Sequence, residues 1–302
     1  MAMTMLVFLG ALLAAMALGI PIAHALIMSG VALLIHMDMF DTQILASQLV
    51  DGADNFPLMA IAFFILAGEL MNAGGVSKRI IAFSIALVGH VRGGLGYVAI
   101  MASLIFSGLS GSAVADTAAL SAILIPIMEE AGYKRGHSAA LIAAAGIIPP
   151  LMPLSVPMII FGVTGSVSIP KLFMSGVFPG VLLGICLALT WAWIARKEHF
   201  KVQPRKSLKE VLLAAKDAIW AFILPLIIII GLRGGIFTPT EAASIAVFYA
   251  LIIGLFVYRE LKFNRITEVL VAAAKVTSIV MFLAAAAMVS SWLIAVADIP
   301  AY

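Results

Sequence analysis

The sequence predicts an all-α polytopic membrane protein: a helix bundle with a re-entrant helical hairpin and a proline-broken helix. Three observations predict it. Apolar residues make up 64% of the 302 residues and charged residues only 11%, with a mean hydropathy of +1.18; soluble domains average roughly 45–50% and about 25%. The apolar residues fall into runs of the ~20 residues that cross a hydrocarbon layer. Two of those runs are broken inside, at Ser107-Gly108-Leu109-Ser110-Gly111-Ser112 and at Pro149-Pro150-Leu151-Met152-Pro153. Lipid cannot satisfy free backbone N–H and C=O groups, so irregular backbone at membrane depth survives only where protein buries it or where it lines a wet cavity. Two such breaks close together point to a site for a small polar solute or ion.

The candidate spans are Met3–Ile35, Pro57–Asn72, Ile80–Val91, Leu95–Met128, Ser138–Gly165, Leu172–Ile194, Ala218–Leu232, Thr240–Tyr258 and Ile266–Ala297. The first suits one crossing kinked at Pro21 or two short ones. Leu95–Met128 is too long for one crossing and has a Gly/Ser-rich centre, so it is expected to fold as the hairpin. Asp41–Asn55 sets Ile44, Leu45, Leu49 and Val50 against Asp41, Gln43, Gln48, Asp51 and Asp54, the pattern of an interfacial amphipathic helix, although it has no Lys or Arg. The N-terminus is apolar without a basic region before it and reads as a first membrane helix, not a cleaved signal peptide.

The net charge of +3 gives no indication of a nucleic-acid partner, and the single Cys186 makes no disulfide framework. Basic residues cluster between apolar runs, where they set topology. The richest loop (Arg196, Lys197, Lys201, Arg205, Lys206, Lys209) is placed in the cytoplasm. Alternation adds Arg92, Lys134, Arg135, Lys216, Arg259, Lys262 and Arg265 to that side. It leaves Lys78, Arg79, Lys171 and Arg233 outside, with Lys275 unassigned. The hairpin then enters from the cytoplasm.

At the hairpin tip two helix ends meet, leaving carbonyls on one side and N–H groups on the other. The first favours a cation and the second an anion. Gly108 and Gly111 permit close approach, and Ser107, Ser110 and Ser112 offer hydroxyls to a hard cation such as Na⁺. Close helix packing through small residues explains the same composition equally well. In the second break Pro149, Pro150, Pro153 and Pro157 remove N–H donors in turn. Ile148, Met152 and Ser155 lie among them; an ordinary proline kink is the alternative, but four prolines in nine residues exceed what a kink needs, and an unwound segment is expected. Asp116 is either a functional intramembrane carboxylate or a cap for the first turn of the returning leg, where its charge suits the helix N-terminus; the cap is the preferred reading. Glu69 is expected at the interface, Glu241 in a helix start behind Thr238 and Pro239, and Lys275 snorkelling from the start of the last helix.

An enzyme reading also exists. Gly108-Leu109-Ser110-Gly111 matches the G-x-S-G nucleophile pattern of intramembrane serine proteases. Such a serine needs a base within hydrogen-bond reach. Only His137 and His199 follow it, both in loops, while His24, His36 and His90 precede it. A passive channel is the third class, without a filter-like repeat to support it.

The ordered set Phe63-Phe64-Ile65-Leu66-Ala67-Gly68-Glu69-Leu70-Met71-Asn72, Gly74-Gly75, Gly93-Gly94-Leu95-Gly96, SGSAVADTAAL over 110–120, Ala143-Ala144-Ala145-Gly146 and Gly234-Gly235-Ile236-Phe237-Thr238-Pro239-Thr240-Glu241-Ala242 resembles the large membrane subunit of tripartite ATP-independent periplasmic (TRAP) transporters. The resemblance covers essentially the whole chain. It implies a multi-pass subunit of the bacterial inner membrane and half of an inverted-repeat transporter. The first repeat would lie at about 57–195, and the second would begin at about 217 and be cut short where the chain ends. It implies Na⁺-coupled import of organic acids of the C4-dicarboxylate, keto-acid or sugar-acid type, with a small membrane subunit and a periplasmic solute-binding protein. Membrane lipid would surround it, Na⁺ would be the coupling ion, and no other cofactor is expected. By that analogy Na⁺ binds at Ser110 and Ala113 with carbonyls near Pro149, Met152 and Leu154. Ser107, Gly111, Ser112 and Ser155 complete the substrate and ion region. Two departures fall inside the site: Pro149 replaces a usual glycine, and Pro153-Leu154-Ser155 replaces a usual Pro-Pro-Ser.

Overall fold

The computed structural model describes residues 2–109, 111–197 and 200–297; among these the chain is all-α, with thirteen α-helices and no strand. It divides into two compact units. One comprises the chain up to Leu58 together with the chain from Lys275, and the other Met59–Ala274.

The smaller unit begins with α1 (Ala2–Ala17) and α2 (Ile22–His36). Gly19 (φ +77°) and Pro21 separate them, so Met3–Ile35 forms two short helices packed on each other. Asp41 caps α3 (Thr42–Ala53), its carboxylate accepting from Gln43 N–H at 2.7 Å, so the expected helix forms; Leu45 and Leu49 pack on the core of this unit while Val50 stays exposed. Phe8, Leu33, Leu34, Val289 and Leu293 form the core. Glycines set the contact distances. A Cβ at Gly30 would lie 2.7 Å from Leu293 Cδ1, and one at Gly52 would lie 2.9 Å from Met288 Cβ.

The larger unit holds α4 (Met59–Ala73), α5 (Val76–Val88), α6 (Gly94–Phe106), α7 (Ala113–Glu130), α8 (Arg135–Ala145), α9 (Val156–Thr164), α10 (Ile169–Ala195), α11 (Leu208–Arg233) and α12 (Pro239–Ile252). A π-helical turn, Ile253–Val257, prolongs α12. The last helix, α13 (Phe263–Val296), contributes its residues up to Ala274 to this unit. Five segments are long and apolar enough to span a membrane: Phe56–Ala73, α10, α11, Pro239–Val257 and α13. The pair Arg135–Leu151 and Val156–Thr164 is bent by 40° and makes a sixth if counted as one broken span. The hairpin and the broken helix both stand where the sequence placed them. α11 and α12 each start with a full capping box. In α12 Thr238 Oγ1 accepts from Glu241 N–H at 3.3 Å, while the Glu241 carboxylate accepts from Thr238 N–H at 2.7 Å.

Three expectations need correction. Ile80–Val91 is not a crossing: α5 has 13 residues, about 20 Å at 1.5 Å per residue, against a ~30 Å hydrocarbon layer. Lys78 and Arg79 at its start reach Glu260 at 3.2 and 2.8 Å. Glu260 lies between Arg259 and Lys262, so these basic residues share one side, and only Lys171 and Arg233 of those sorted stay opposite. Lys275, expected at the start of the last helix, is its thirteenth residue and exposed.

The Glu260 cluster fastens three segments. Arg79 donates to Gly75 O at 2.9 Å and lies 3.7 Å from the Tyr258 ring centroid, while Tyr258 O–H donates to Asp217 O at 2.6 Å. Burial is the largest single influence on Glu260 and favours the neutral acid. Hydrogen bonds and charges from Arg79 and Lys78 together outweigh it and hold the carboxyl below its ordinary pKa.

Candidate functional site

The hairpin and the broken helix bring four helix ends together. α6 ends at Phe106, and its last turn closes through Ser107 N–H to Ser103 O at 3.0 Å, Gly108 N–H to Ile105 O at 3.2 Å and Leu109 N–H to Phe106 O at 2.8 Å. α7 restarts at Ala113 behind Ser112, whose hydroxyl accepts from Ala115 N–H at 3.3 Å. The N-cap side chain is Ser112, and Asp116 takes the first-turn place expected of it. Asp116 sits in the first turn of α7, 1% exposed, where a carboxylate complements the helix N-terminus.

In the second break, α8 gives way to a 3₁₀ turn at Pro149–Leu151, and α9 restarts at Val156 behind Ser155. Met152 is extended (φ −93°, ψ 163°) and its N–H donates to Pro149 O at 3.2 Å. Pro150 and Pro157 withhold the donors a continuous helix would supply to the carbonyls of Gly146 and Pro153. Leu154 takes φ +73° with its side chain fully buried. A left-handed leucine costs about 1–3 kcal/mol and persists only where its surroundings over-determine it.

The surroundings here are the hairpin tip. Gly111 takes φ +58°; a Cβ built on it would fall on Leu154 O and lie 2.7 Å from Ser155 Cα. The two breaks therefore touch backbone to backbone, with the Leu154 carbonyl facing the tip. On one side of this contact a cavity of about 280 Å³ is walled by Leu104, Ile105, Gly108, Met152, Pro153 and Pro225. On the other, a depression of about 540 Å³ runs between α7 and α8 past Ala113, Thr117, Gly146 and Pro150. A Cβ at Gly146 would collide with the Thr117 hydroxyl, so these helices also meet closely.

The structure thus brings together Gly111, Leu154 and Ser155 directly, with Ser112 and Ala113 following the tip and Pro149 and Met152 following the break. Ser107 is fully buried, and its hydroxyl donates to Leu104 O at 2.5 Å. Ser155 Oγ is buried without a hydrogen-bond partner among the described residues. Ser110, the residue named both as an ion ligand and as a nucleophile, lies outside the described residues, as does His199. Glu69 sits half-buried in α4, five residues before its last turn closes at Gly74.

Sequence reading missed Pro225. It lies inside α11, and its ring is 3.1 Å from a Cβ built at Gly108, so α11 forms a wall of the tip. A mid-span proline was the available signal. The left-handed Leu154 had none, because leucine does not favour that conformation. Chemically the site offers backbone carbonyls from two helix C-termini, N–H groups from two N-termini and hydroxyls. Among the described residues no three His, Cys, Asp or Glu side chains gather to hold a metal. Hard oxygen ligands of this kind suit a hard cation better than a transition metal.

Residues 9–302 match the family described as tripartite ATP-independent periplasmic transporter, DctM component. The chain is 53% identical over 298 residues to the 2,3-diketo-L-gulonate TRAP transporter large permease protein of Escherichia coli, covering 99% of this chain and 70% of that protein. It is 40% identical over 282 residues to the sialic acid TRAP transporter large permease protein of Vibrio cholerae, covering 93% and 66%. It is 39% identical over 256 residues to the C4-dicarboxylate TRAP transporter large permease protein of Pseudomonas aeruginosa, covering 85% and 60%. These relatives are named as transport permeases, not enzymes. The chain belongs to the DctM family, the large permease components of tripartite ATP-independent periplasmic transporters.

Proposed function

We propose that this chain is the large permease subunit of a Na⁺-coupled, binding-protein-dependent importer of organic acids in a bacterial inner membrane. It would work with a small membrane subunit and a periplasmic solute-binding protein. The observation that carries the reading is the contact of the two breaks at Gly111 and Leu154. Unwound backbone at the meeting point of a re-entrant hairpin and a broken helix is how transporters coordinate ions at membrane depth. The Leu154 carbonyl faces the tip, and the carbonyls of Pro149 and Met152 and the residues Ser110 and Ala113 would complete an oxygen shell for Na⁺. Ser107, Gly111, Ser112 and Ser155 shape the space beside it. Residues 57–195 would form one inverted repeat, with its counterpart beginning near residue 217.

The solutes in those relatives' names, 2,3-diketo-L-gulonate, sialic acid and C4-dicarboxylate, are all carboxylates. An anionic solute also suits the N-termini of α7 and α9, whose N–H groups point towards the breaks. The test is solute uptake into proteoliposomes holding the permease with both partners, across a Na⁺ titration at constant ionic strength. Uptake should rise with Na⁺ and not with K⁺, and should require the binding protein. Ser110→Ala should raise the half-saturating Na⁺ concentration without lowering the amount of protein inserted. Na⁺-independent, binding-protein-independent flux would sink the proposal in favour of a passive channel.

A further inference from the structure

A second cavity lies at the basic end of the larger unit, away from the breaks. It is a groove of about 430 Å³ between α8 and α10. Its walls grade from charged to apolar. His137 and Lys197 stand at the mouth, Ala140 and Ala144 make the floor, and Trp191 and Leu187 form the far wall. On α10 the lining runs from Leu187 to the helix end at Ala195, about 12 Å, with Lys197 just beyond it, and on α8 from His137 to Ala144, about 10 Å. That is most of the ~15 Å depth of one leaflet.

The mouth is rigid and positively charged. Trp191 Nε1–H donates to Gly93 O at 2.8 Å, and its ring stacks with Tyr133 and Phe200. Lys201 N–H donates to Ala131 O at 3.1 Å, and Arg92 donates to Arg196 O at 3.2 Å, so the loops around the mouth are tied down. The Lys197 ammonium lies 3.8 Å from the Trp193 ring centroid. Lys134, Arg135 and Arg196 add charge, opposed by Glu129, which pairs with Arg135 at 3.5 Å, and by exposed Glu130. The groove opens beside an exposed apolar stripe on α10 formed by Phe178, Leu182, Ile185, Leu189 and Trp193. A stripe of that kind on a membrane-spanning helix faces lipid, and Trp193 belongs to both surfaces.

We propose that this groove is a binding site for an anionic phospholipid, with one acyl chain lying between α8 and α10 and the phosphate at Lys197 and His137. A basic pocket between spanning helices at one membrane surface is the arrangement that recognises lipid phosphate. The tryptophan at its rim marks the interface level. The apolar lining extends over most of a leaflet's depth, which a free phosphate would not need.

The test uses the purified chain with Trp220→Phe and Trp292→Phe, leaving Trp191 and Trp193 as reporters. Quenching is measured in mixed micelles against dibrominated phosphatidylglycerol and dibrominated phosphatidylcholine. The anionic lipid should half-quench at a several-fold lower mole fraction, and Lys197→Gln should reduce that preference by roughly fivefold, the worth of one basic residue near the surface. Ala144→Phe fills the floor and should weaken quenching by both lipids while far-UV circular dichroism stays unchanged. Equal half-quenching by the two lipids would overturn the site, and so would quenching indifferent to Ala144→Phe. Protection of both reporters from either lipid by one equivalent of the small membrane subunit would assign the groove to a partner helix instead.

Discussion

Replacing Gly111 with alanine tests the contact on which the site is built. Two separate penalties apply. The backbone at Gly111 has φ +58°, and moving an L side chain into the left-handed region costs about 1–2 kcal/mol. The new methyl would also overlap the backbone of Leu154 and Ser155. Overpacking of this kind typically costs about 1–3 kcal/mol, and backbone yields less readily than a side-chain tip. The fold supplies its own control. Gly235 has φ +66° with nothing within 4 Å of a built Cβ, so Gly235→Ala carries the conformational penalty alone. The two variants should therefore differ by about 1–3 kcal/mol in thermal or denaturant unfolding of the detergent-solubilised protein. The difference should also report on ion binding. A ligand at about 100 times its Kd stabilises by ≈ 2.7 kcal/mol. Na⁺, compared with K⁺ at equal ionic strength, should raise the melting temperature of the wild type and of Gly235→Ala but not of Gly111→Ala. If Gly111→Ala matched Gly235→Ala in both stability and Na⁺ response, the meeting of the two breaks would have no part in the site.

Two further predictions concern the charged cluster and the topology. Glu260 has its pKa held below the ordinary 4.5 in the folded protein, so its ion pairs contribute stability above that value and lose it as the pH falls through the lower folded pKa. Glu260→Gln should cost up to about 1 kcal/mol near neutral pH, the worth of a partly exposed pair. Unfolding curves of the two proteins should converge below pH 4.5, and a gap independent of pH would refute the charge-pair account. In a Cys186→Ala background, single cysteines at Lys78 and Ser207 should both resist an impermeant maleimide in intact cells, while one at Gly235 should label. Labelling at Lys78 but not at Ser207 would mean that α5 crosses after all.

The amphipathic Asp41–Asn55 segment, the hairpin, the proline break and the Thr238 capping box were legible because each is local. A cap, a period or a run of prolines determines its own neighbourhood. The failures have a common cause as well. Ile80–Val91 is apolar enough to pass for a crossing, and only the ion pairs of Lys78 and Arg79 with Glu260, some 180 positions away, reveal that its basic end shares a side with Arg259. Pro225 and Leu154 escaped notice for the same reason. What matters about each is the partner it meets, Gly108 for Pro225 and Gly111 for Leu154, and no window of sequence contains both partners.

Element lengths explain why the two breaks meet. α6 and α8 start from the same basic end, at Gly94 and Arg135. α6 runs for 13 residues, about 20 Å, before the tip. α8 runs for 11 residues, about 16 Å, and the following 3₁₀ turn adds a few ångströms before the chain unwinds at Met152. From the opposite end α9 supplies 9 residues, about 14 Å. The two partial depths add to roughly the ~30 Å of a hydrocarbon layer, so both irregular segments fall at one level, well inside it. Each alone would present unpaired backbone groups to lipid, at several kcal/mol apiece. Placed at one level and pressed together through a residue without a side chain, each buries the other. The backbone groups that neither satisfies are then turned towards each other and not towards lipid. Lengthening α6 by one turn of four residues would drive the tip about 6 Å past Leu154 and separate the two breaks without touching a residue of either.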